Sequence, residues 1–296
     1  MQIGYGTCNG TFGELVQGVL NHQPFLVTLP VPLLKSKATF IPDPTKSNII
    51  AQPSQTKAVM ACKRMFKLFN LSGGGYLHLC SNIPRGKGMA SSSADIVASM
   101  RAVAHSYSIP LSHDVISNIA TEIEPTDGIM YEGVVAYDYI NGKLIDSFGY
   151  LPPFGIIGID IGGSIDTIQF NKRRKPFSEH DHQTFIHAFH VIKEGMKKKD
   201  LALICQASTM SAKVNEKALP KRYFKEIERL AALCEGGVVV AHSGTILGIL
   251  FDPTKLTLEK NRLEIEEFIQ QTKTTPFYYC HKNLNLGLKP NSFMRC

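Results

Sequence analysis

Apolar positions recur along this chain with two periods, and the period switches several times between turn signals. Ala58, Val59, Cys62, Met65, Phe66 and Phe69 fall three or four apart, which puts them on one face of a helix. Gly73-Gly74-Gly75 ends that helix, and Tyr76-Leu77-His78-Leu79-Cys80 alternates as a half-buried strand does. Upstream, Phe25 to Phe40 reads as an extended pair of strands interrupted by Pro30 and Pro32, which cannot donate to a ladder. A Gly/Ser-rich loop at 84–93 opens a helix running through about Ser106. Ser112 is placed to cap a further helix, which ends at the Glu124-Pro125 step because a residue before proline avoids the helical region. Asn141-Gly142, between VVAYDYI and KLIDSF, is a hairpin signal.

Past Pro152-Pro153 the order of elements changes. A strand from Phe154 to Ile161 leads to a polar loop and to helical stretches near 179–197, 200–214 and 222–235. Two strands follow, VVVAH and TILGILF, then a charged helix at 259–271 and a last strand, PFYYCH. This succession predicts an α+β fold with an antiparallel sheet in its second half. The two prolines mark a boundary, giving expected units of 1–151 and 152–296 without an internal repeat or a long linker.

Composition narrows the field. The chain has 296 residues, 44% apolar and 19% charged, with 24 glycines and 16 prolines in no periodic arrangement. That excludes collagen-like and disordered classes, and a chain this long can bury a sizeable core. The longest apolar stretch, Gly236 to Phe251, is short and broken by His242, Ser243 and Thr245, so no membrane span is expected. The first residues, MQIGYGTCNGTFGE, lack the basic start and apolar core of a signal peptide, and a cytoplasmic protein is expected. Seven cysteines at 8, 62, 80, 205, 234, 280 and 296 form no CxxC pair, which points to free thiols. The formal charge of +7 is the more open feature. Its basic runs, Lys172-Arg173-Arg174-Lys175 and Lys197-Lys198-Lys199, are not interleaved with aromatics, and tryptophan is absent. Nucleic acid is therefore not the expected partner.

The chemistry-bearing segment runs from Ser81 to Asp95. Gly86 and Gly88 let the backbone turn tightly, three serines open a helix, and Arg85 and Lys87 add positive charge. A helix start offers unpaired N–H groups and the positive end of a dipole, so this is a place for phosphate. The loop is neither GxxxxGK[ST] nor a dinucleotide fingerprint, whose third glycine position holds Ser91. A second segment, Glu122-Ile123-Glu124-Pro125-Thr126-Asp127-Gly128, brings carboxylates to the end of a helix. Taken alone, the first string also suits a capped helix after a turn, and the second a polar helix end.

The whole string PRGKGMASSSAD resembles the nucleotide loop of the GHMP kinases. Two further blocks resemble that family's other landmarks. Asn9 to Gly18 (NGTFGELVQG) stands where its substrate-side motif falls, and Val238 to Phe251 resembles its strand–turn–strand supporting the nucleotide loop. The resemblance covers nearly the whole chain. It implies a two-part fold, with an N-terminal half like ribosomal protein S5 domain 2 and a ferredoxin-like C-terminal half. It also implies ATP and Mg²⁺. The ATP site would comprise Pro84, Arg85, Gly86, Lys87, Gly88, Met89, Ala90, Ser91, Ser92 and Ser93; the Mg²⁺ ligands would be Ser92 and Glu124. Asp127 would be the catalytic carboxylate, and Glu14 and Gln17 would meet the substrate. Five separated blocks (GELVQG, LVTLPVPL, GKGMASSSAD, EPTDG and VAHSGTILGILFD) resemble the branch that phosphorylates the hydroxyl of L-threonine for cobalamin side-chain synthesis. Homoserine, serine and a non-catalytic nucleotide-binding role are the alternatives.

Several positions depart from the family pattern. Thr11 stands where several members have a lysine beside their aspartate, which leaves Asp127 the choice of taking a proton or only positioning substrate or metal. Asn9 replaces a proline, and Ala90 replaces a glycine, tolerable only if its φ is not positive. Asp160 to Thr167 is expected to be a Gly-Gly turn, with lining of the pocket as the alternative. His242 is expected to be a hydrogen-bonded buried histidine, with phosphate contact as the alternative.

Overall fold

A computed structural model describes residues 1–163, 177–255 and 257–280. The Lys172–Lys175 run and part of the Asp160–Thr167 stretch therefore lie outside the described residues. Alternating burial lays down β1 (Gly4–Leu20) and β2 (Gln23–Asp43), joined by a tight turn at Asn21-His22. The structure corrects the expected pair of strands here. Phe25 to Phe40 belongs to one continuous strand, and β1–β2 register shifts near Asn9/Gly10 and Thr11/Glu14 absorb the proline interruptions. After β3 (Ile49–Ile50) and a 3₁₀ turn (Pro53–Gln55) come α1 (Thr56–Leu68), β4 (Gly74–Ser81), α2 (Ser91–Ser106) and α3 (His113–Ile123). Ser112 caps α3 by accepting from Val115 N–H (3.3 Å). β5 (Val134–Asp138) and β6 (Lys143–Gly149) form the hairpin around Asn141-Gly142.

β7 (Gly155–Asp160) begins the remaining portion, followed by α4 (Glu179–Lys198), α5 (Leu201–Ala218), α6 (Phe224–Leu233), β8 (Gly237–Val240), β9 (Ile246–Phe251), α7 (Thr257–Thr272) and β10 (Thr275–Cys280). Lys197 and Lys198 close α4, where cations meet the negative end of the dipole. All described strands join one ten-stranded sheet, ordered β10-β7-β9-β8-β1-β2-β4-β3, with the β5–β6 hairpin attached to β2. Pairing is antiparallel except between β3 and β4. β1 meets β8 through a single register pair, Glu14 with Val240.

One hydrophobic cluster runs from Cys8 and Phe12 through α2 to Phe185, Ile204 and Tyr279, crossing the expected boundary. A second lies under α6 and α7, around Phe224, Leu230 and Ile265. Helix α2 packs on β1 and β2 and is buried on most of its circumference, so its N-terminus is fixed against the sheet. Among the described residues, no helix is long and apolar enough to cross a membrane, and all six described cysteines are free.

Candidate active site

A cavity of about 590 Å³ opens between the N-termini of α1 and α2, the end of α3 and the middle of β1. The nucleotide-type loop forms one wall. Ala90 precedes α2 in the left-handed region (φ 59°) and no side chain caps the helix, so its first-turn donors face the cavity beside Ser91, Ser92 and Ser93. Arg85, Gly86, Gly88, Met89 and Ala90 complete that wall. Pro84 and Lys87 do not line it. Lys87 turns the other way, pairing with Asp160 (2.8 Å) and donating to Gly163 O (2.6 Å). Asp160 also accepts from Thr245 Oγ1 (2.6 Å), so this part of the 160–167 stretch braces the loop from behind.

Carboxylates make the opposite wall. Asp127 Oδ2 accepts from Ser93 Oγ at 3.4 Å, which ties the third serine to the end of the acidic segment. Burial, then the charges of Glu14 and Glu124, push the Asp127 carboxyl up to about 7. Glu124 pairs through Oε2 with Lys57 on the first turn of α1. Its Oε1 is buried without a partner. Asp95, also lining the cavity, is held by Ser36 Oγ (2.6 Å) and Arg85 (3.4 Å). Burial raises its carboxyl above the ordinary range against those two partners.

β1 supplies Glu14 and Gln17. Gly13 (φ 61°) sits at the bulge before Glu14, and a Cβ there would lie 2.4 Å from Val240 O, so only glycine allows β8 this close. Behind the cavity, Glu14 Oε2 accepts from His242 N–H (3.0 Å) and Nδ1 (3.1 Å), and His242 Nε2 lies 2.8 Å from Ser211 Oγ. His242 is thus the buried, hydrogen-bonded residue of the bland expectation, 1% exposed. Asn215 bridges the carbonyl of His242 to the buried ammonium of Lys221. Burial pulls Lys221 down to about 8, against Glu14 and Glu216, which raise it.

Among the described residues, four buried side-chain polar atoms have no hydrogen-bond partner: Gln17 Oε1, Gln55 Oε1, Glu124 Oε1 and Thr126 Oγ1. All four residues line this cavity. An orphaned buried polar atom costs about 1–3 kcal/mol, so their concentration here marks a place where a ligand supplies donors. The α1 side of the cavity, Ser54 to Ala58, was missed by sequence reasoning, which took that helix for packing alone. The polar run Ser54-Gln55-Thr56-Lys57 ahead of its first apolar position was the available signal.

Residues 56–131 match the family model described as GHMP kinases N terminal domain. The fold is shared with a mevalonate kinase from Methanococcus jannaschii (TM-score 0.71, 17% identity, 93% of this chain and 96% of that one). It is shared equally with a homoserine kinase from Cytophaga hutchinsonii (TM-score 0.71, 14% identity, 95% of each chain). Residues 56–131 thus match a GHMP kinase N-terminal domain within a mixed α+β fold, and the family model together with the kinase-named relatives supports an ATP-dependent phosphotransferase acting on an alcohol. In sequence it is similar to the L-threonine kinase of Salmonella typhimurium, 25% identical over 289 residues, covering 97% of this chain and 95% of that one. The L-threonine kinase of Citrobacter freundii is also 25% identical, over 83% of this chain and 85% of its own length.

Proposed function

We propose that this protein phosphorylates the side-chain hydroxyl of a small amino acid, L-threonine, with ATP. The observation that carries the reading is the composition of the acceptor end of the cavity. Glu14, Glu124 and Asp127 converge there with the unpartnered acceptors of Gln17 and Glu124, while Lys57 and Arg85 are the lining cations. An alcohol carrying only negative charge would face Glu14 and Asp127 uncompensated. An amino acid brings an ammonium, whose three N–H donors suit the Glu14 carboxylate and Gln17 Oε1. The relatives named L-threonine kinase support threonine among such alcohols. The product would be O-phospho-L-threonine, which the resemblance assigns to cobalamin side-chain synthesis.

The residues also fit Mg²⁺. Glu124 Oε1 is a buried hard oxygen without a partner, and Ser92 lies on the facing wall of the same cavity. No cluster of three or more metal-binding side chains occurs among the described residues. That agrees with a cation held by one or two protein oxygens together with substrate phosphates. When bound, Mg²⁺ would neutralise charge on the transferring phosphoryl group.

In the reaction, the uncapped start of α2, the loop from Arg85 to Ser93 and the Arg85 guanidinium hold the phosphates. Glu14 and Gln17 orient the amino acid, and Asp127 accepts the hydroxyl proton as the oxygen attacks the γ-phosphorus and its bond to the β,γ-bridging oxygen breaks, ADP leaving with that electron pair. Its raised carboxyl suits a base working near neutrality. Catalysis is otherwise positioning and charge stabilisation, since phosphoryl transfer leaves little covalent work for the protein. The test is an ATP-turnover panel with L-threonine, L-serine, L-homoserine and 3-hydroxybutyrate, followed by mass detection of the phosphorylated product. Threonine is expected to be the best acceptor and 3-hydroxybutyrate, which lacks the ammonium, a poor one. Efficient phosphorylation of 3-hydroxybutyrate but not of the amino acids would overturn the reading.

A further inference from the structure

The acceptor wall is held from behind by groups that no substrate touches. Gln17 N–H donates to Ser211 Oγ at 2.9 Å. Ser211 Oγ lies within hydrogen-bond distance of both His242 Nε2 (2.8 Å) and Gln17 O (3.3 Å), so one hydroxyl joins the ring to the backbone of β1. Because the Glu14 carboxylate oxygen can only accept, the ring donates to Glu14 Oε2 from Nδ1, at 3.1 Å. The backbone N–H of His242 adds a second bond to the same oxygen, at 3.0 Å. One imidazole thereby fixes both the rotamer of Glu14 and, through Ser211, the backbone of Gln17. Four residues on three elements are locked together: Glu14 and Gln17 on β1, Ser211 on α5, and His242 in the turn between β8 and β9.

We propose that His242 is a positioning residue for the recognition of the acceptor's ammonium group, acting through Glu14 directly and through Ser211 on Gln17. The inference rests on the amino-acid-kinase reading above. Ser243, the next residue, lines the cavity itself, but the His242 ring is directed away from it into the buried side. The role asked of the imidazole is to hold a carboxylate oxygen at a fixed place, so that the oxygen spends no freedom when the ammonium arrives.

The experiment compares steady-state kinetics of the full chain with three substitutions, using L-threonine and 3-hydroxybutyrate as acceptors. His242→Leu fills the site but offers Glu14 no side-chain donor, leaving only the backbone N–H. His242→Asn keeps an N–H near the Nδ1 position. Ser211→Ala removes the hydroxyl that joins the ring to the backbone of Gln17 while barely changing the packing. With threonine, His242→Leu is expected to raise KM about 10-fold or more, the order associated with losing a hydrogen bond to a charged group. KM for ATP should stay within about twofold of the original enzyme, a split that general destabilisation would not produce. His242→Asn should recover most of the loss, and Ser211→Ala should fall between the two. With 3-hydroxybutyrate, none of the substitutions should change KM, because the group that Glu14 reads is missing.

Equal rises in KM for ATP and threonine, or the same rise for both acceptors, would overturn the positioning role. So would an unchanged threonine KM in all three variants. If His242→Leu does not fold, Ser211→Ala and His242→Asn decide the matter by the same comparison. The two readings fail differently. An original enzyme that phosphorylates no amino acid sinks the functional reading, whereas robust threonine phosphorylation with indifferent variants sinks only the role of His242.

Discussion

With its carboxyl raised to about 7 by burial and by Glu14 and Glu124, Asp127 is about half protonated near neutral pH. That sets two expectations of opposite sign. As a proton acceptor it works only when ionised, so kcat/KM should fall below about pH 7 with a single ionisation. Asp127→Asn should lower kcat by about 10²–10⁴-fold, the usual contribution of a positioned base. For stability the sign reverses. The folded-state value lies above the ordinary 3.8, so between these two values the folded protein binds the extra proton and loses stability as pH rises. Above about 7 the penalty is complete. Asp127→Asn should therefore be at least as stable as the original protein at pH 8, with the advantage shrinking toward pH 4; thermal melts across that range check it. Ala90 offers a separate case. Its sequence tolerance was conditional on a φ that is not positive, and the structure places it at 59°. Ala90→Gly should stabilise the fold slightly, by a few tenths to about 1 kcal/mol, and raise the melting temperature, since relief of left-handed strain outweighs the added freedom of the unfolded chain.

At the scale of elements, most of what the sequence announced is local, and local signals were readable. The Ser112 cap, the Asn141-Gly142 hairpin and the serine-led start of α2 each depend on neighbours within a few residues. The partners of Lys87 and His242 were not readable, because each lies far along the chain: Asp160 for the first, Glu14 and Ser211 for the second. Lys87 shows the limit well. Its position in a phosphate-type loop suggested phosphate, yet its ammonium braces the loop against β7. The β8–β9 turn completes the brace, with Thr245 N–H bonded to Lys87 O at 3.1 Å and Gly244 packed beneath it. A Cβ on Gly244 would lie 2.2 Å from Lys87 O, so Gly244→Ala should displace the loop. Weaker nucleotide binding is expected, with KM for ATP rising more than KM for the acceptor; a nucleotide titration and steady-state kinetics measure both.

For the whole molecule, the continuous sheet and the main hydrophobic cluster make one cooperative structure the expectation. Phe12 on β1 stacks on Phe277 of β10 with ring centroids 4.9 Å apart, and Phe25 of β2 meets Phe189 of α4 edge-on. Contacts of that kind join early and late parts of the chain. Chemical denaturation followed by far-ultraviolet circular dichroism and by tyrosine fluorescence should give coincident transitions. Phe12→Ala should cost about 3–5 kcal/mol and move both curves together. The class of fold was legible because the order of helices and strands is written in local periods, while the joining of all strands in one sheet depends on pairings invisible to any window.

The seam of that sheet is a single register pair, Glu14 opposite Val240. In mechanical terms such a seam is a fulcrum: if the strands on either side rock against each other, points far from it travel furthest and the pivot travels least. The residue proposed to grip the amino group sits at that still point with the phosphate loop bonded close beside it, through Thr11 N–H to Met89 O and Thr245 N–H to Lys87 O, while the rim formed by α1 lies further out. Rocking about that seam would carry the α1 rim and leave the acceptor's anchor nearly in place.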